Sequence, residues 1–259
     1  MGSYFSSNEI VPDFISNAES IPSKLFPLKV HKSDTRHDVI RFIIISDTHT
    51  RHRDLSLPLG DVLIHCGDWS NHPTSKQDYI DFDIWLGEQP HKHKIIVAGN
   101  HEIGLPHNPR EVQELFANAV CLFDQTYEVE GVKLYGAPGI PARSFLYRAN
   151  YMQYSRPIEK WNGIPYGTDI LITHTPPRFV MDYGKHSRGY WREGDMELLN
   201  RAMNVKPKVH CFGHNHDQPG VMRVSHSLDT LKCAEDSTLF INASMFRGII
   251  PPVVVDFHM

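Results

Sequence analysis

The chain has 259 residues, of which 41% are hydrophobic and 22% are charged, and its formal net charge is -4. This length and apolar content suffice for the core of one α/β domain with an extension. The slightly acidic balance excludes a broad basic surface for duplex nucleic acid, but it does not exclude small substrates.

Cysteine usage and the absence of targeting signals indicate a cytoplasmic protein. The four cysteines lack Cys-x-x-Cys spacing, so we expect reduced thiols. The sequence has no apolar run that could span a bilayer and no charged start followed by an apolar signal region. The segment Met1-Gly2-Ser3-Tyr4-Phe5-Ser6 matches the N-myristoylation pattern. No basic cluster follows it and one acyl chain binds membranes weakly, so an unmodified terminus is favoured.

The first 38 residues differ in pattern from the rest of the chain. Prolines at positions 12, 22 and 27 interrupt apolar residues such as Phe14 and Leu25. Such spacing excludes a long helix. We therefore predict an irregular N-terminal extension at 1–38, laid across a single domain at 39–259.

From residue 39 onward, apolar strands alternate with helical segments. Strands are predicted at 42–45, 62–64 and 95–97. A first helix is predicted at 74–88, with Thr74 as its cap, and a second at 109–118, where proline occupies the first turn.

The second half of the chain continues this alternation. Strands at 126–130 and 132–136 form a predicted hairpin around Glu130-Gly131, and a helix is predicted at 195–204. Further strands are predicted at 170–172 and near 207, 238 and 252. Strands inside and helices outside imply an α/β fold that contains two layered sheets.

Seven potential metal ligands close or follow the apolar runs. Short apolar runs of this kind are typical of buried strands, so the ligands are expected on loops at one sheet edge. They are Asp47, His49, Asp68, Asn100, His174, His214 and His216.

The mixture of oxygen and nitrogen donors indicates a transition metal, because imidazole suits zinc, iron and manganese. A site made of oxygen alone would favour magnesium or calcium. Two ions at roughly 3.5 to 4 Å can clamp the attacking and leaving oxygens of a phosphoryl displacement. Asp68 is the natural bridging ligand, and glycines at 67, 99 and 213 fit the tight turns beside it.

These motifs, Asp-x-His, Gly-Asp, Gly-Asn-His-Glu, a lone His and Gly-His-x-His, resemble the calcineurin-like metallophosphoesterase superfamily over about residues 39–259. The segments 60–65, 85–87, 134–138, 167–171 and 241–244 look like its animal metallophosphoesterase-domain-containing branch. The resemblance implies a four-layer α/β/β/α sandwich with two mixed β-sheets.

The resemblance also implies roles for the site residues. One metal would be bound by Asp47, His49, Asp68 and His216, and the other by Asp68, Asn100, His174 and His214. A metal-bridging hydroxide would attack phosphorus, and His101 would protonate the leaving oxygen as the catalytic acid. Some members of the branch carry Gly at the position of His214, so this chain is expected to have fuller metal occupancy.

The branch is similar in activity to class III cyclic nucleotide phosphodiesterases. The expected function is therefore a dinuclear metal-dependent phosphodiesterase, with two divalent ions, manganese favoured and iron or zinc as alternatives. The competing interpretations are a phosphomonoesterase or protein phosphatase, which uses the same ligands, and a nucleotide-binding scaffold with little turnover. The complete ligand set argues against the scaffold.

Substrate contacts are expected from the irregular segment 138–161. Its candidates are Arg143, Arg148, Tyr151 and Tyr154. Arginine can grip a phosphate and tyrosine can stack on a base. A solvated loop is an equally good interpretation. His65, in the strand before Asp68, is either a partner of the ligands or, as we prefer, a core histidine.

Overall fold

A computed structural model describes residues 15, 18–21, 28–31, 39–71, 75–102, 104–106, 108–141, 153–154, 157–186, 189–226, 236–246 and 250–259. In chain order the described strands are β1 (Glu19–Ile21), β2 (Leu28–His31), β3 (Val39–Ile45), β4 (Val62–His65), β5 (His93–Ile96), β6 (Val120–Cys121), β7 (Gln125–Val129), β8 (Val132–Ala137), β9 (Ile140–Pro141), β10 (Gln153–Tyr154), β11 (Ile170–Thr173), β12 (Tyr183–His186), β13 (Gly189–Arg192), β14 (Val209–Phe212), β15 (Gly220–Ser225), β16 (Ser237–Asn242) and β17 (Val253–His258). The described helices are α1 (Lys76–Glu88), α2 (Pro109–Gln113), α3 (Pro157–Asn162) and α4 (Met196–Val205), with a 3₁₀ turn at His52–Asp54.

Two mixed sheets form the centre of the molecule. The first has the order β2-β17-β3-β4-β5-β6, and the second has the order β1-β15-β16-β14-β11-β8-β7. Each sheet contains a block of parallel strands, β3 to β6 in the first and β8, β11, β14 and β16 in the second. Parallel strands end at one edge of their sheet, so loops from many parts of the chain meet there.

Strand β3 shows why its sequence is continuously apolar. Phe42 and Ile44 pack into the core between the two sheets, whereas Ile43 and Ile45 pack under α1 on the outer face. Successive side chains of a strand point to opposite faces, so a strand covered on both faces has no polar side.

The outer helices complete four layers. Phe82 and Trp85 of α1 pack against the first sheet, and Leu198 and Ala202 of α4 pack against the second. The predicted α/β/β/α sandwich is therefore confirmed. Among the described residues, no helix combines the length and the apolarity that a membrane crossing requires.

Two predicted helix boundaries are wrong. Helix α1 is capped by Ser75 rather than Thr74, because Ser75 accepts the Asp78 N–H while the Asp78 carboxylate accepts the Ser75 N–H. Helix α2 ends at Gln113 instead of continuing to 118, because the Gln113 amide donates to the carbonyls of Phe116 and Ala119 and so stabilises a turn.

The hairpin of β7 and β8 is confirmed, and its turn residues Glu130 and Gly131 both have positive φ, 49° and 85°. A second hairpin, β12 and β13, was not predicted. Strands β1 and β2, within the segment 1–38, pair with β15 and β17 respectively.

Candidate metal centre

All seven predicted ligands lie just beyond the carboxyl ends of parallel strands. Asp47 and His49 follow β3, Asp68 follows β4, Asn100 follows β5, His174 follows β11, and His214 and His216 follow β14. The two sheets contribute to one place because their edges are joined there by a bridge between Ser46 and Ser244. The Met245 N–H also donates to the Ser46 carbonyl at 2.9 Å.

The side chains form two groups that share one carboxylate. Ligand atoms of Asp47, His49, Asp68 and His216 lie within 4.8 Å of one another, and so do those of Asp68, His174 and His214. Asn100 joins the second group, since its Oδ1 lies 3.0 Å from His174 Nε2. Each group could hold a metal ion, and Asp68 belongs to both groups, as a bridging ligand would.

The backbone at these residues is strained. Asp47, His49, Asp68 and His214 have φ of 54°, 45°, 54° and 67°, in the left-handed region that residues with a side chain seldom adopt. Each such residue costs on the order of 1 to 3 kcal/mol, and strain of this kind concentrates at functional sites. A Cβ at Gly99 would lie 2.2 Å from Asp68 Oδ1, so only glycine allows the two loops to approach this closely.

Hydrogen bonds to backbone carbonyls orient the rings of His49 and His174 so that each Nε2 faces the cluster. His49 Nδ1 lies 3.2 Å from the Ser70 carbonyl and His174 Nδ1 lies 2.9 Å from the Cys66 carbonyl. A carbonyl only accepts, so both Nδ1 atoms donate, and each Nε2 is the atom that binds a proton or a metal. His49 Nε2 lies 3.3 Å from His216 Nε2, which requires a proton or a cation between them. This arrangement fits a metal centre.

The electrostatics of the cluster also fit a cation. Burial alone would raise the pKa of Asp68, but His174, His101 and His49 outweigh it and hold this pKa well below its ordinary value. Burial lowers the pKa of His174, yet the charge and hydrogen bond of Asp68, together with Asp47, raise it to about 9. In the protein without metal, a proton therefore neutralises carboxylates that a divalent ion would otherwise neutralise.

Glu102 lies beneath the site and binds two ligand loops together. Its fully buried carboxylate accepts the N–H groups of Asp68, Ser70 and Gly99 at 2.9, 3.0 and 2.6 Å, and the Ser70 hydroxyl at 2.8 Å. Burial and the charge of Asp68 raise the pKa of Glu102 to about 7, although the hydrogen bonds from Ser70 and Gly99 lower it. Sequence reasoning quoted Glu102 within its motif but assigned it no role.

His65 is both a buried core residue and a hydrogen-bond partner of the ligand loops, the two roles that the sequence left as alternatives. It is fully buried, and its Nε2 lies 3.0 Å from the Thr48 hydroxyl, while the Gly67 N–H donates to its Nδ1. It therefore connects the loop of Asp47 and His49 with the loop of Asp68.

A cleft of about 270 Å³ opens over the cluster. It is lined by Asp68, Asn100, His101, Lys185, Glu193, His214, His216 and Asp217. The His101 N–H donates to Asp68 Oδ1 at 2.8 Å, and its Nε2 lies 3.9 Å from Asp68 Oδ2. The predicted catalytic acid is thus placed beside the shared carboxylate, in contact with the cleft.

Lys185, Glu193 and Asp217 are cleft residues that sequence reasoning missed. Only Asp217 carried a usable signal, because it directly follows ligand His216. The predicted substrate contacts Arg143, Arg148 and Tyr151 lie outside the described residues, and so does the side chain of Tyr154.

Comparisons with known proteins identify the family of this chain. The family described as calcineurin-like phosphoesterase matches residues 40–218. Metallophosphoesterase domain-containing protein 1 of Homo sapiens is 34% identical over 244 residues, covering 83% of this chain and 70% of its own. UPF0046 protein C25E10.12 of Caenorhabditis elegans is 34% identical over 265 residues, covering 90% and 87%.

A solved crystal structure with 13% sequence identity has a TM-score of 0.55 and covers 81% of this chain and 92% of its own, which shows the fold alone. The family match covers more than half of the chain, and the relatives at 34% identity carry the same family name or align over most of their length. This chain belongs to the calcineurin-like phosphoesterases, in the animal branch of metallophosphoesterase domain-containing proteins, and is a metal-dependent hydrolase of phosphoric esters.

Proposed function

We propose that this protein is a dinuclear phosphodiesterase whose substrates include cyclic nucleotides. The supporting observation is the charge of the cleft. Beyond the predicted ligands and His101, its described lining consists of one cation, Lys185, and two carboxylates, Glu193 and Asp217. A phosphomonoester carries up to one more negative charge than a diester at neutral pH, and the carboxylates repel that charge. The cleft therefore favours diesters over monoesters.

Metal binding is proposed to follow the two groups of ligand atoms. Asp47, His49, Asp68 and His216 would hold one ion, and Asp68, Asn100, His174 and His214 the other. When bound, two such ions polarise the phosphoryl oxygens and activate water as the nucleophile. Manganese is the favoured ion and iron or zinc are the alternatives, because the donors mix imidazole nitrogen with carboxylate oxygen.

The protein's own contribution to leaving-group departure is assigned to His101. Its backbone N–H donates to Asp68 Oδ1, and the residue lines the cleft. The ring packs edge-on against His49, with centroids 4.7 Å apart. From there the imidazole can contact a phosphoester bound over the cluster and donate a proton to the departing alcohol.

The test compares bis-p-nitrophenyl phosphate with p-nitrophenyl phosphate, using protein stripped by a chelator and then reloaded with manganese, zinc or iron. We expect hydrolysis only after reloading, with kcat/KM higher for the diester and measurable turnover of a cyclic nucleotide. A higher kcat/KM for the monoester would reject the diester assignment and favour a phosphomonoesterase.

A charge variant sharpens this test. Asp217→Asn removes one negative charge from the cleft wall, and it should raise kcat/KM for the monoester relative to the diester. The matched control is Asp236→Asn, which removes an exposed carboxylate paired with Lys206 away from the cleft lining. An unchanged ratio in Asp217→Asn would show that cleft charge does not set the preference.

A further inference from the structure

The hairpin of β12 and β13 presents one face made of aromatic and cationic side chains. Tyr183 pairs with Arg192 and Lys185 pairs with Tyr190 in the antiparallel register. Directly paired residues share a face, and residues two apart on one strand share it as well. These four side chains therefore project from the same side of the hairpin.

The rings on this face form a supported stack. Tyr183 and Tyr190 lie parallel, with centroids 5.7 Å apart and planes inclined by 9°, and they are 43% and 55% exposed. The Arg192 guanidinium lies 5.5 Å from the Tyr183 ring centre and 4.7 Å from that of Phe179. Arg192 is itself held at 2.6 Å by the fully buried carboxylate of Asp182. Tyr190, the more exposed of the two rings, thus offers a pre-positioned aromatic surface to solvent.

The hairpin is attached to the metal-ligand loop by direct hydrogen bonds. The N–H groups of Tyr183 and Lys185 donate to the side chains of Gln218 and Asp217 at 2.7 and 2.6 Å. The Asn215 amide, between the two ligand histidines of its loop, donates to Glu193 at 2.6 Å. The stack therefore holds a fixed position relative to the ligands.

Lys185 connects this face with the cleft. Among the described lining residues it is the one lysine or arginine, and it borders the same cavity as Asp68 and His101. The cavity of about 270 Å³ lies below the roughly 300 to 1,000 Å³ of sites that enclose drug-sized ligands. A cleft of this size leaves little room for a nucleoside in addition to a phosphate bound over the cluster.

We propose that the Tyr183–Lys185–Tyr190 face binds the nucleoside part of the substrate. The base stacks on Tyr190, and the Lys185 ammonium contacts the phosphate. This inference rests on the proposed function, since it names what the same site recognises. It assigns base recognition to the hairpin rather than to the segment that contains Tyr151 and Tyr154.

Binding measurements test the face directly. Calorimetry with manganese-loaded protein would compare adenosine monophosphate with inorganic phosphate for the parent, Tyr190→Ala, Lys185→Ala and Lys185→Arg. We expect Tyr190→Ala to weaken the nucleotide at least about 5-fold, the lower range for one stacked base, and to leave phosphate binding unchanged. Lys185→Ala should weaken both ligands, and Lys185→Arg should restore most phosphate binding.

Two control variants remove the same residue types, tyrosine and lysine, at positions away from the cleft. Tyr166→Ala removes a tyrosine that is 71% exposed and stacked by Arg201, outside the cleft lining, and Lys92→Ala removes an exposed lysine paired with Glu130. Both controls should bind like the parent. Unfolding temperatures would confirm that the variants fold.

The outcomes separate this inference from the proposed function. Nucleotide binding that depends on Tyr190, in a protein that hydrolyses no phosphodiester, would uphold the face and reject the activity. The protein could instead hydrolyse diesters while Tyr190→Ala and Lys185→Ala bind both ligands like their controls. That outcome would uphold the activity and overturn the nucleoside-binding face. A parent that binds nucleotide no better than phosphate would also overturn it.

Discussion

Asp68 is the residue on which both halves of the candidate centre depend. Its carboxylate belongs to both groups of ligand atoms, and its Oδ2 lies 3.3 Å from His174 Nε2 and 3.9 Å from His101 Nε2. Its left-handed φ of 54° and the N–H bond to Glu102 place it where both groups meet.

We predict that Asp68→Ala lowers bound manganese from about two ions per chain to one or none, because the shared carboxylate is part of each ion's coordination. Elemental analysis after gel filtration would measure the content. Asp54→Ala, which removes an exposed carboxylate paired with Arg51, should keep the parent content. Two retained ions in Asp68→Ala would contradict the bridging role.

His101→Ala should retain its metal while losing turnover by roughly 10² to 10⁴-fold, since proton donation by a positioned side chain contributes about that much. The loss should be smaller for diesters with a nitrophenolate leaving group, which departs without a proton. Steady-state kinetics on good and poor leaving groups would measure the difference. Equal losses on both would remove the acid role.

At the scale of elements, the ligand loops are held by each other rather than by regular structure. The N–H groups of Asp47, His49 and Thr50 donate to the carbonyls of Gly67, Asp68 and Trp69 at 2.9, 3.1 and 2.9 Å. Beneath them, Glu102 joins the loop after β4 to the loop after β5. Such contacts keep ligands in place before a metal binds.

Glu102→Gln should weaken metal affinity by roughly 10 to 100-fold, the range for disturbing the supports of a metal shell. The glutamine amide would place N–H donors against backbone N–H groups that need an acceptor. Competition with a fluorescent chelator would measure the affinity. Glu88→Gln, an exposed carboxylate paired with Arg53, is the control, and equal affinities in both variants would show that Glu102 has no positioning role.

At the scale of the whole molecule, buried histidines link folding to pH. His210 is fully buried in β14, its Nε2 lies 2.9 Å from the Thr173 hydroxyl, and burial lowers its pKa to about 3. In the unfolded chain a histidine has a pKa of about 6.5. Between these values the unfolded state binds more protons, so stability is complete above about pH 6.5 and decreases as the pH falls toward 3.

We therefore predict that the free energy of unfolding of the metal-free protein decreases from pH 7 to pH 4, with a slope of up to about 1.4 kcal/mol per pH unit from His210. Urea unfolding in a chelating buffer would measure it. His210→Gln keeps a donor for Thr173 and does not titrate, so its slope should be smaller. A slope identical to that of the parent would exclude His210 as a source.

The clustering of the candidate ligands could be predicted largely from sequence because each of these residues is tied to a local pattern. A short apolar run followed by glycine or a polar turn marks the end of a buried strand, and parallel strands end at one edge. Those two facts bring Asp47, Asp68 and Asn100 together at the edge of the first sheet. His174, on the second sheet, joins them only because the two sheets meet at the bridge between Ser46 and Ser244.

The tertiary structure alone decided what surrounds the ligands. Strands β12 and β13 are short and contain Tyr, Lys and Trp exposed to solvent, so they lack the apolar alternation that marks a strand. Their place beside the cleft depends on side chains of Asp217 and Gln218, about thirty residues away. Glu102 likewise follows Asn100 in a polar run, and only its burial under two loops shows its role. Local patterns predict strand ends, but contacts between distant segments determine which side chains enclose the site.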